Sequence, residues 1–227
     1  MLLLGAMTER EFDSAAVDLR GLRLGVAPAQ RDAACVTAEV RAAFVAACAR
    51  LQAAGAVLVE VAVLEMEHAS DALMAVLGPE AAVIHADRLA AAPEAFGPNT
   101  RAQLEAGFAV LAVDHVRAQR LRGRLREAFA VLFEQVDALL APSMPYVAPV
   151  EDPPMDEGVS DEMLFVAASN LTGCPGLSLP CGVSPGGLPI GLHLTAAIGR
   201  DAWLLAFAEA AAAALDPVPP PSEWSGQ

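Results

Sequence analysis

Apolar residues recur with two different spacings over the first 62 residues of the chain. Residues 21–27 (GLRLGVA) and 57–61 (VLVEV) have the pattern of short buried strands. Residues 37–53, between them, place apolar side chains at helical spacing, and Gly55 ends that helix; the apolar positions are Val40, Phe44, Val45, Cys48 and Leu51. A strand, a helix and a strand joined by short loops predict a βαβ unit with two parallel strands.

The middle of the chain, from about residue 67 to residue 136, has an almost wholly helical pattern. Pro93 and the Gly97-Pro98 pair interrupt it. The second part of this region intersperses apolar residues with five arginines: Arg117, Arg120, Arg122, Arg124 and Arg126. We predict that they form a solvated helix face paired with acidic residues, in preference to an anion site.

The last third of the chain returns to strands. We predict a strand at 138–142, a short helix at 161–169, strands at 176–179 and 190–194 with a turn at 185–187, and a helix at 201–215. The first seven residues have the pattern of the last turns of a helix, and the Pro-rich tail, 216–227, is predicted to be disordered. Taken together, the elements predict one α/β domain, or part of one, over residues 1–215.

Charge and composition exclude several classes of partner. The formal net charge is −14, and all fourteen basic residues are arginine, so the chain contains no lysine. Phosphate binding needs clustered positive charge, which argues against nucleic acid and anionic membrane surfaces as partners. The charge-free stretch 163–198 is broken by four prolines and is no membrane span. The four cysteines form no C-x-x-C pair and are interpreted as small buried residues.

Three segments, in order along the chain, carry a family resemblance. They are DALLAPSMP at 137–145, NLTGCPGLSLPCG at 170–182 and GLPIGLHL at 187–194. Together they resemble the amidase-signature family, and the resemblance extends from Met1 to about residue 215. It implies an α/β fold in which this chain forms the C-terminal portion of a mixed β-sheet sandwiched by helices. Within the motifs, Gly173 suits a left-handed helix end, and Gly191 suits the close approach of another backbone or a substrate.

The resemblance also defines what is missing from this sequence. Members of the family hydrolyse amides with a serine nucleophile, a bridging serine and a lysine base, and a Gly-Ser-rich loop forms the oxyanion hole. All of this lies in the N-terminal half of the family pattern, and the sequence has neither a lysine nor such a loop. We therefore expect that the sequence begins downstream of this machinery, assign no catalytic residue, and predict that the chain is inactive alone.

Other residues offer no clear replacement for the missing base. The four histidines, His68, His85, His115 and His193, are interpreted as core or rim residues, and His193 stands where the family commonly has glutamine. Ser169 and Ser178 are the serines nearest the motifs, and a serine without a base is a poor nucleophile. Because the histidines and cysteines are widely scattered, no metal site is predicted. No cofactor is indicated.

By its position, the C-terminal half of the family pattern lines the acyl side of the substrate pocket. The resemblance places the candidates on the short helix before Asn170: Met163, Phe165, Val166 and Ser169. The amidotransferase branch has an aspartate where Met163 stands, so methionine suggests a less polar acyl group. Core packing is an alternative role for each of the four residues.

Four functional hypotheses remain open. The first is an amidase-type C–N hydrolase represented by its C-terminal portion, and the second is a pocket-completing subunit of a split amidase. The third is a non-catalytic binding or interaction protein, and the fourth is a truncated gene product. Removal of half a sheet exposes apolar surface, so we expect self-association or a partner such as the N-terminal amidase half, in a cytoplasmic setting. A small amide would bind only to the completed protein.

Overall fold

A computed structural model describes residues 5, 7–9, 15–151 and 159–218. Their contacts divide the chain into two compact units. The sheet unit comprises Met1–Ala62, Leu132–Val147 and Cys174–Gln227, and the helical unit comprises Val63–Val131 and Ala148–Gly173. Most of the predicted helix at the first seven residues and most of the Pro-rich tail lie outside the described residues, and residues 5 and 7 are helical. The assignment of 1–215 to a single domain stays a prediction.

Five strands form one mixed sheet in the sheet unit. They are β1 (Arg23–Val26), β2 (Val57–Glu60), β3 (Ala138–Pro142), β4 (Gly176–Val183) and β5 (Pro189–Thr195), in the spatial order β2-β1-β3-β5-β4. β1 pairs in parallel with both β2 and β3, whereas β5 is antiparallel to β3 and β4. The sheet confirms the predicted α/β class and the parallel βαβ unit.

Three helices of the sheet unit pack against its strands: α1 (Pro28–Arg31), α2 (Ala38–Ala53) and α8 (Asp201–Ala214). α1 packs against β3, whereas both α2 and α8 pack against β4 and β5. α2 buries Val40, Phe44 and Leu51, as the spacing predicts, but Val45 is half exposed because it turns away from the sheet. The helix ends before Gly55, whose φ of +103° favours glycine.

β4 and β5 form a longer hairpin than the sequence predicts. The turn is closed by Ser184, whose N–H donates to the Leu188 carbonyl (2.8 Å) and whose hydroxyl accepts from the Leu188 N–H (3.1 Å). Gly187 has a φ of +85°, which accounts for the glycine in the turn. Leu192 and Leu194 of β5 are fully buried, so this hairpin carries a large part of the core.

The helical unit contains α3 (Ala69–Ala91), α4 (Pro98–Phe108), most of α5 (Ala112–Gln135), α6 (Val159–Glu162) and α7 (Ala167–Thr172). Short 3₁₀ turns precede α3 (Met66–His68) and follow it (Pro93–Ala95). The breaks at Pro93 and Gly97-Pro98 are confirmed. A further break, at 109–111, has no Gly or Pro to announce it in the sequence; α5 begins where the Leu111 carbonyl accepts from the Asp114 and His115 N–H groups.

The region predicted as one short helix, 161–169, is two helices in the structure. Between α6 and α7 the backbone makes tight bonds, from Leu164 N–H to the Asp161 carbonyl (3.2 Å) and from Val166 N–H to the Met163 carbonyl (3.1 Å). These i to i+3 bonds wind the chain more tightly than an α-helix does, and they divide the segment. α7 ends at Gly173, whose φ of +79° confirms the predicted left-handed helix end.

Candidate functional site

The carboxyl end of β3 carries the first polar side chain of the candidate site. All five residues of β3 are buried, and Ser143 follows directly after the strand. The Ser143 N–H donates to the Gly191 carbonyl of β5 at 2.8 Å, which holds the serine beside the next strand. In open α/β sheets, ligands bind at the carboxyl ends of strands, so the position of Ser143 is a natural one for a polar contact.

A second serine meets Ser143 across β5. The hydroxyls of Ser143 and Ser178 are hydrogen-bonded to each other, and Ser178 is exposed while Ser143 is half-buried. Gly191 lies beneath the pair: a Cβ atom at this position would be 2.6 Å from Ser143 Oγ and 2.9 Å from Ser178 Oγ. Both distances are far below van der Waals contact. Only glycine at position 191 therefore permits the two serines to converge in this arrangement.

His193 stands on the same sheet face as the serine pair. The strand register places it opposite both Ala141 of β3 and Ser178 of β4. Its side chain is buried, with 7% of the residue exposed, and its Nε2 atom has no hydrogen-bond partner. Burial lowers the pKa of His193 to about 4, so the imidazole is neutral at pH 7.

We define the Ser-Ser-His cluster as Ser143, Ser178, Gly191 and His193. Its polar groups are hydrogen-bonding and uncharged. Two hydroxyls and a neutral imidazole both donate and accept hydrogen bonds, and none of them carries a charge at pH 7. Since Nε2 bonds to neither serine, it does not act as a base that activates one of them in this arrangement. The cluster therefore has uncharged hydrogen-bonding groups but no activated nucleophile in this arrangement.

A separate cavity of about 460 Å³ lies within the helical unit. Its walls come from α3, α4, the 109–111 connection and the start of α5, and most of its lining is apolar, with Gln103 and Asp114 as the polar members. Asp114 is ion-paired with Arg117 at 3.1 Å. The size is within the range of small-molecule sites, but no lining group is both buried and unpaired.

The comparisons with known proteins decide the family. The family model described as Amidase matches residues 7–205. The chain belongs to the amidase family. An amidase from Pseudomonas putida is 35% identical over 75% of this chain and 38% of its own length. A glutamyl-tRNA(Gln) amidotransferase subunit from Salinispora arenicola is 33% identical over 90% of this chain and 47% of its own length.

A solved structure confirms the amidase-signature fold. A crystal structure of an amidase superposes with a TM-score of 0.82 at 28% identity, and the match covers 95% of this chain and 50% of that one. The chain thus spans half the length, or less, of these amidase-family relatives. Within the described residues, no helix is both long enough and apolar enough to cross a membrane.

The four residues predicted to line an amidase acyl pocket lie together around the turn that joins α6 to α7. Phe165 and Ser169 are buried, and Met163 and Val166 are half-buried. The Ser169 hydroxyl donates to the Val166 carbonyl at 2.8 Å, and Asn170 Nδ2 donates to the same oxygen at 2.9 Å. These bonds satisfy the backbone locally. Of the four, Met163 and Val166 keep exposed surface, and their role in a pocket stays a prediction.

The remaining histidines make no cluster in this amidase-family chain. His115 Nδ1 is 3.0 Å from the Ala75 carbonyl, and the His85 ring meets Phe96 edge-on at 5.9 Å. His68 is exposed. The part of the chain that the structure describes holds no group of three metal-ligating side chains. None of the four cysteines forms a disulfide, and burial raises the pKa of Cys48 to about 12 and that of Cys181 to about 11.

The arginines of α5 are only partly the solvated face that the sequence predicts. Arg117 and Arg124 pair with Asp114 and Glu65 at the surface, as expected. Arg122 is half-buried, and its Nε donates to the Leu171 carbonyl at 2.8 Å. Leu171 lies in the last turn of α7, where a cation satisfies an otherwise unpaired carbonyl. This arginine has a structural role that its spacing does not reveal.

The sequence pattern predicts a site neither at Ser143 nor at the pair of Ser143 and Ser178. The sequence predicts that Gly191 permits the close approach of a backbone or a substrate. In the structure, the side chains of Ser143 and Ser178 occupy that space. The sequence also predicts a core or rim position for His193. The residue is buried, but its Nε2 atom has no hydrogen-bond partner. No local signal in the sequence marks the cluster, because the register of β3, β5 and β4 brings residues 143, 178, 191 and 193 to one face.

Proposed function

We propose that this chain is the C-terminal portion of an amidase-type C–N hydrolase and that it hydrolyses no amide alone. The observation that carries the proposal is the family match over residues 7–205 in a sequence that contains no lysine. Arginine cannot replace the lysine base, because its guanidinium stays protonated in proteins. The unpaired His193 Nε2 supports the same conclusion, since neither serine of the cluster has a base bound to it.

A lysine-bearing polypeptide is the partner that this proposal requires. Two observations support such a partner: the relatives are at least twice as long as the matched part of this chain, and one of them is named as a subunit. β4 is an outer strand of the described sheet, and Gly176, Ser178 and Pro180 on one of its faces are exposed. An outer strand with an exposed face is a surface on which a second sheet segment can pack. Self-association is the competing use of that surface.

In the completed enzyme, the acyl group of the amide would contact the α6–α7 turn. Met163 and Val166 are half-buried there, beside the buried Phe165 and Ser169. Methionine and valine are apolar, so we propose a substrate with an uncharged hydrocarbon acyl group. Four cysteines without a disulfide support a reducing, cytoplasmic setting.

Complementation tests the proposal directly. The purified chain is assayed for ammonia release from small carboxamides, alone and after co-expression with the N-terminal half of the Pseudomonas putida amidase. We expect no turnover alone and measurable turnover for the pair. The same half with its nucleophilic serine changed to alanine is the control, and it must be inactive. Turnover by the chain alone would show that the proposed inactivity of the isolated chain is wrong.

The complementation also separates the alternatives. A complex that forms without activity would favour a non-catalytic interaction protein. If the chain is soluble but binds neither the partner half nor itself, the result would favour a truncated gene product.

A further inference from the structure

The exposed face of α3, in the helical unit, carries a row of apolar side chains. Leu77, Val83 and Ile84 are 45%, 73% and 77% exposed. Leu77, Ala81 and Ile84 follow one another at spacings of four and three residues, so their side chains are neighbours along the helix surface. Val83 directly precedes Ile84 and widens the row. A contiguous exposed apolar patch is typical of a surface that contacts another molecule.

Two opposite charges lie at equal distances from Ile84 on this face. Glu80 is one turn before it and Arg88 one turn after it, and both are exposed. Among the residues that the structure describes, neither has an ion-pair partner within its own chain. The Arg88 guanidinium lies over the Phe96 ring, 5.4 Å from its centroid. Because that contact involves no acceptor oxygen, the N–H donors of Arg88 remain available to a carboxylate.

The spacing of these residues is self-complementary for two copies of α3 that lie side by side in opposite directions. A two-fold axis at Ile84 places this residue against its own copy. The same axis brings Glu80 opposite Arg88 of the second copy, and the pair occurs twice, once on each side of the axis. A parallel pair of helices in register would instead oppose Glu80 to Glu80 and Arg88 to Arg88, which is repulsive. Charge complementarity therefore favours the antiparallel arrangement.

We propose that the exposed face of α3 is a self-association surface, on which two copies of this chain pair as antiparallel helices about Ile84. α3 has 23 residues and rises about 1.5 Å per residue, so it is long enough to hold both ion pairs and the apolar row. One helix pair buries less than the roughly 800 Å² per partner of a standard complex, so we expect a reversible dimer with a Kd on the order of tens of micromolar. The pairing requires no amide hydrolysis and no lysine-bearing partner, and it can fail or hold independently of the proposed function.

Charge reversal tests the ion pairs. Sedimentation velocity over a concentration series measures the dimer Kd of the purified chain and its variants. Glu80→Arg should weaken the dimer about tenfold, because arginine then faces arginine on both sides of the axis. Glu80→Arg combined with Arg88→Glu exchanges the charges and should restore most of the affinity. Glu127→Arg, at an exposed position of α5, changes the net charge as Glu80→Arg does and should leave the Kd unchanged.

Cross-linking tests the position of the two-fold axis. Ile84→Cys places two thiols next to each other at the axis, so oxidised glutathione should convert this variant to a disulfide-linked dimer. In Ala91→Cys the two thiols would lie roughly 20 Å apart along the paired helices, so no cross-link should form. The unmodified chain, treated in the same way, gives the background from the native cysteines. Equal cross-linking of both variants would overturn the antiparallel arrangement.

Three further results would overturn the proposal, provided that circular dichroism shows the variants to be folded. The first is an unmodified chain that stays monomeric at every concentration tested. The second is a Kd that changes equally in Glu80→Arg and Glu127→Arg, because the effect would then come from net charge alone. The third is unchanged self-association in Glu80→Arg together with weaker binding of the N-terminal amidase half, because that half would then be the molecule that contacts α3.

Discussion

The two units of this amidase-family chain bury their apolar residues in different ways. In the sheet unit, strands that are distant in sequence pair with one another, and Phe44, Leu192 and Leu194 are at most 1% exposed. In the helical unit, Val83, Ile84 and Phe108 are 73%, 77% and 57% exposed. Contiguous exposed apolar patches are typical of surfaces that contact another molecule, and Val83 and Ile84 are neighbours in the sequence of α3. Both units have a buried core, since Leu125 and Phe129 of the helical unit are at most 1% exposed, but the helical unit also leaves Val83 and Ile84 more exposed than Val45 or Val57 of the sheet unit.

The largest effect is expected at the close crossing of α3 and α4 in the helical unit. A Cβ atom on Gly107 would lie 2.7 Å from the Gly78 carbonyl carbon and 3.0 Å from Ala82 Cβ. Because the first neighbour is backbone, the helices must move apart, and Gly107→Ala should lower the free energy of unfolding by about 3 kcal/mol. Urea denaturation followed by circular dichroism measures the change.

A matched substitution serves as the control for this crossing. Gly123 lies in α5 with no atom within 4 Å of an added Cβ. Gly123→Ala should raise stability by up to about 1 kcal/mol, because alanine is the better helix former. If the two substitutions changed the free energy of unfolding equally, the close contact between α3 and α4 at Gly107 would be contradicted.

The next largest effect is a loss of folding stability at acidic pH, caused by the buried His193 of the sheet unit. The pKa of His193 is about 4 in the folded chain, against an ordinary value of 6.5. As the pH falls below 6.5, the unfolded chain takes up a proton that the folded chain does not, so stability decreases and this contribution levels off below pH 4. Between pH 7 and pH 5 we expect a loss of about 2 kcal/mol from this group.

His193→Gln should remove that part of the pH dependence, as measured by urea denaturation at both pH values. His68→Gln, at an exposed position, is the control and should leave the dependence unchanged. Identical pH profiles for the His193→Gln variant and the unmodified chain would show that the imidazole is not buried in solution.

A smaller effect is expected at Gly191, where side chains instead of backbone are in the way. Gly191→Ala should cost about 1 to 2 kcal/mol, because its Cβ would meet Ser143 Cβ at 2.8 Å and displace the serine. Adding Ser143→Gly removes the nearest obstacle and should recover most of the loss. A double-mutant cycle in urea measures the coupling, and strictly additive effects would contradict the contact.

The smallest effect on stability is expected on the exposed face of α3. Ile84→Gln removes an apolar side chain that is 77% exposed, so the free energy of unfolding should change by less than about 0.5 kcal/mol. Self-association, measured by sedimentation velocity, should decrease if this face forms a contact. A large loss of stability without a change in association would show that Ile84 is part of a core after all.

The amino-acid sequence alone determined the local elements and the family. Helical spacing, Gly55, Pro93 and the strand at 138–142 were sufficient for the βαβ unit and the long helices, because periodicity and breaker residues act over short distances. The three motifs carry the resemblance to the amidase-signature family, and the family match over residues 7–205 agrees with it. Local signals also sufficed for the left-handed end at Gly173.

Tertiary structure alone decided which residues meet. Ser143 and Ser178 are 35 positions apart, and nothing local in either segment indicates that β5 brings their hydroxyls together over Gly191. The bond from Arg122 to Leu171 and the unsatisfied Nε2 of His193 have the same origin. Hydrogen-bond partners and burial depend on the register between distant segments, and a single-residue shift of a strand would turn each of its side chains to the opposite face.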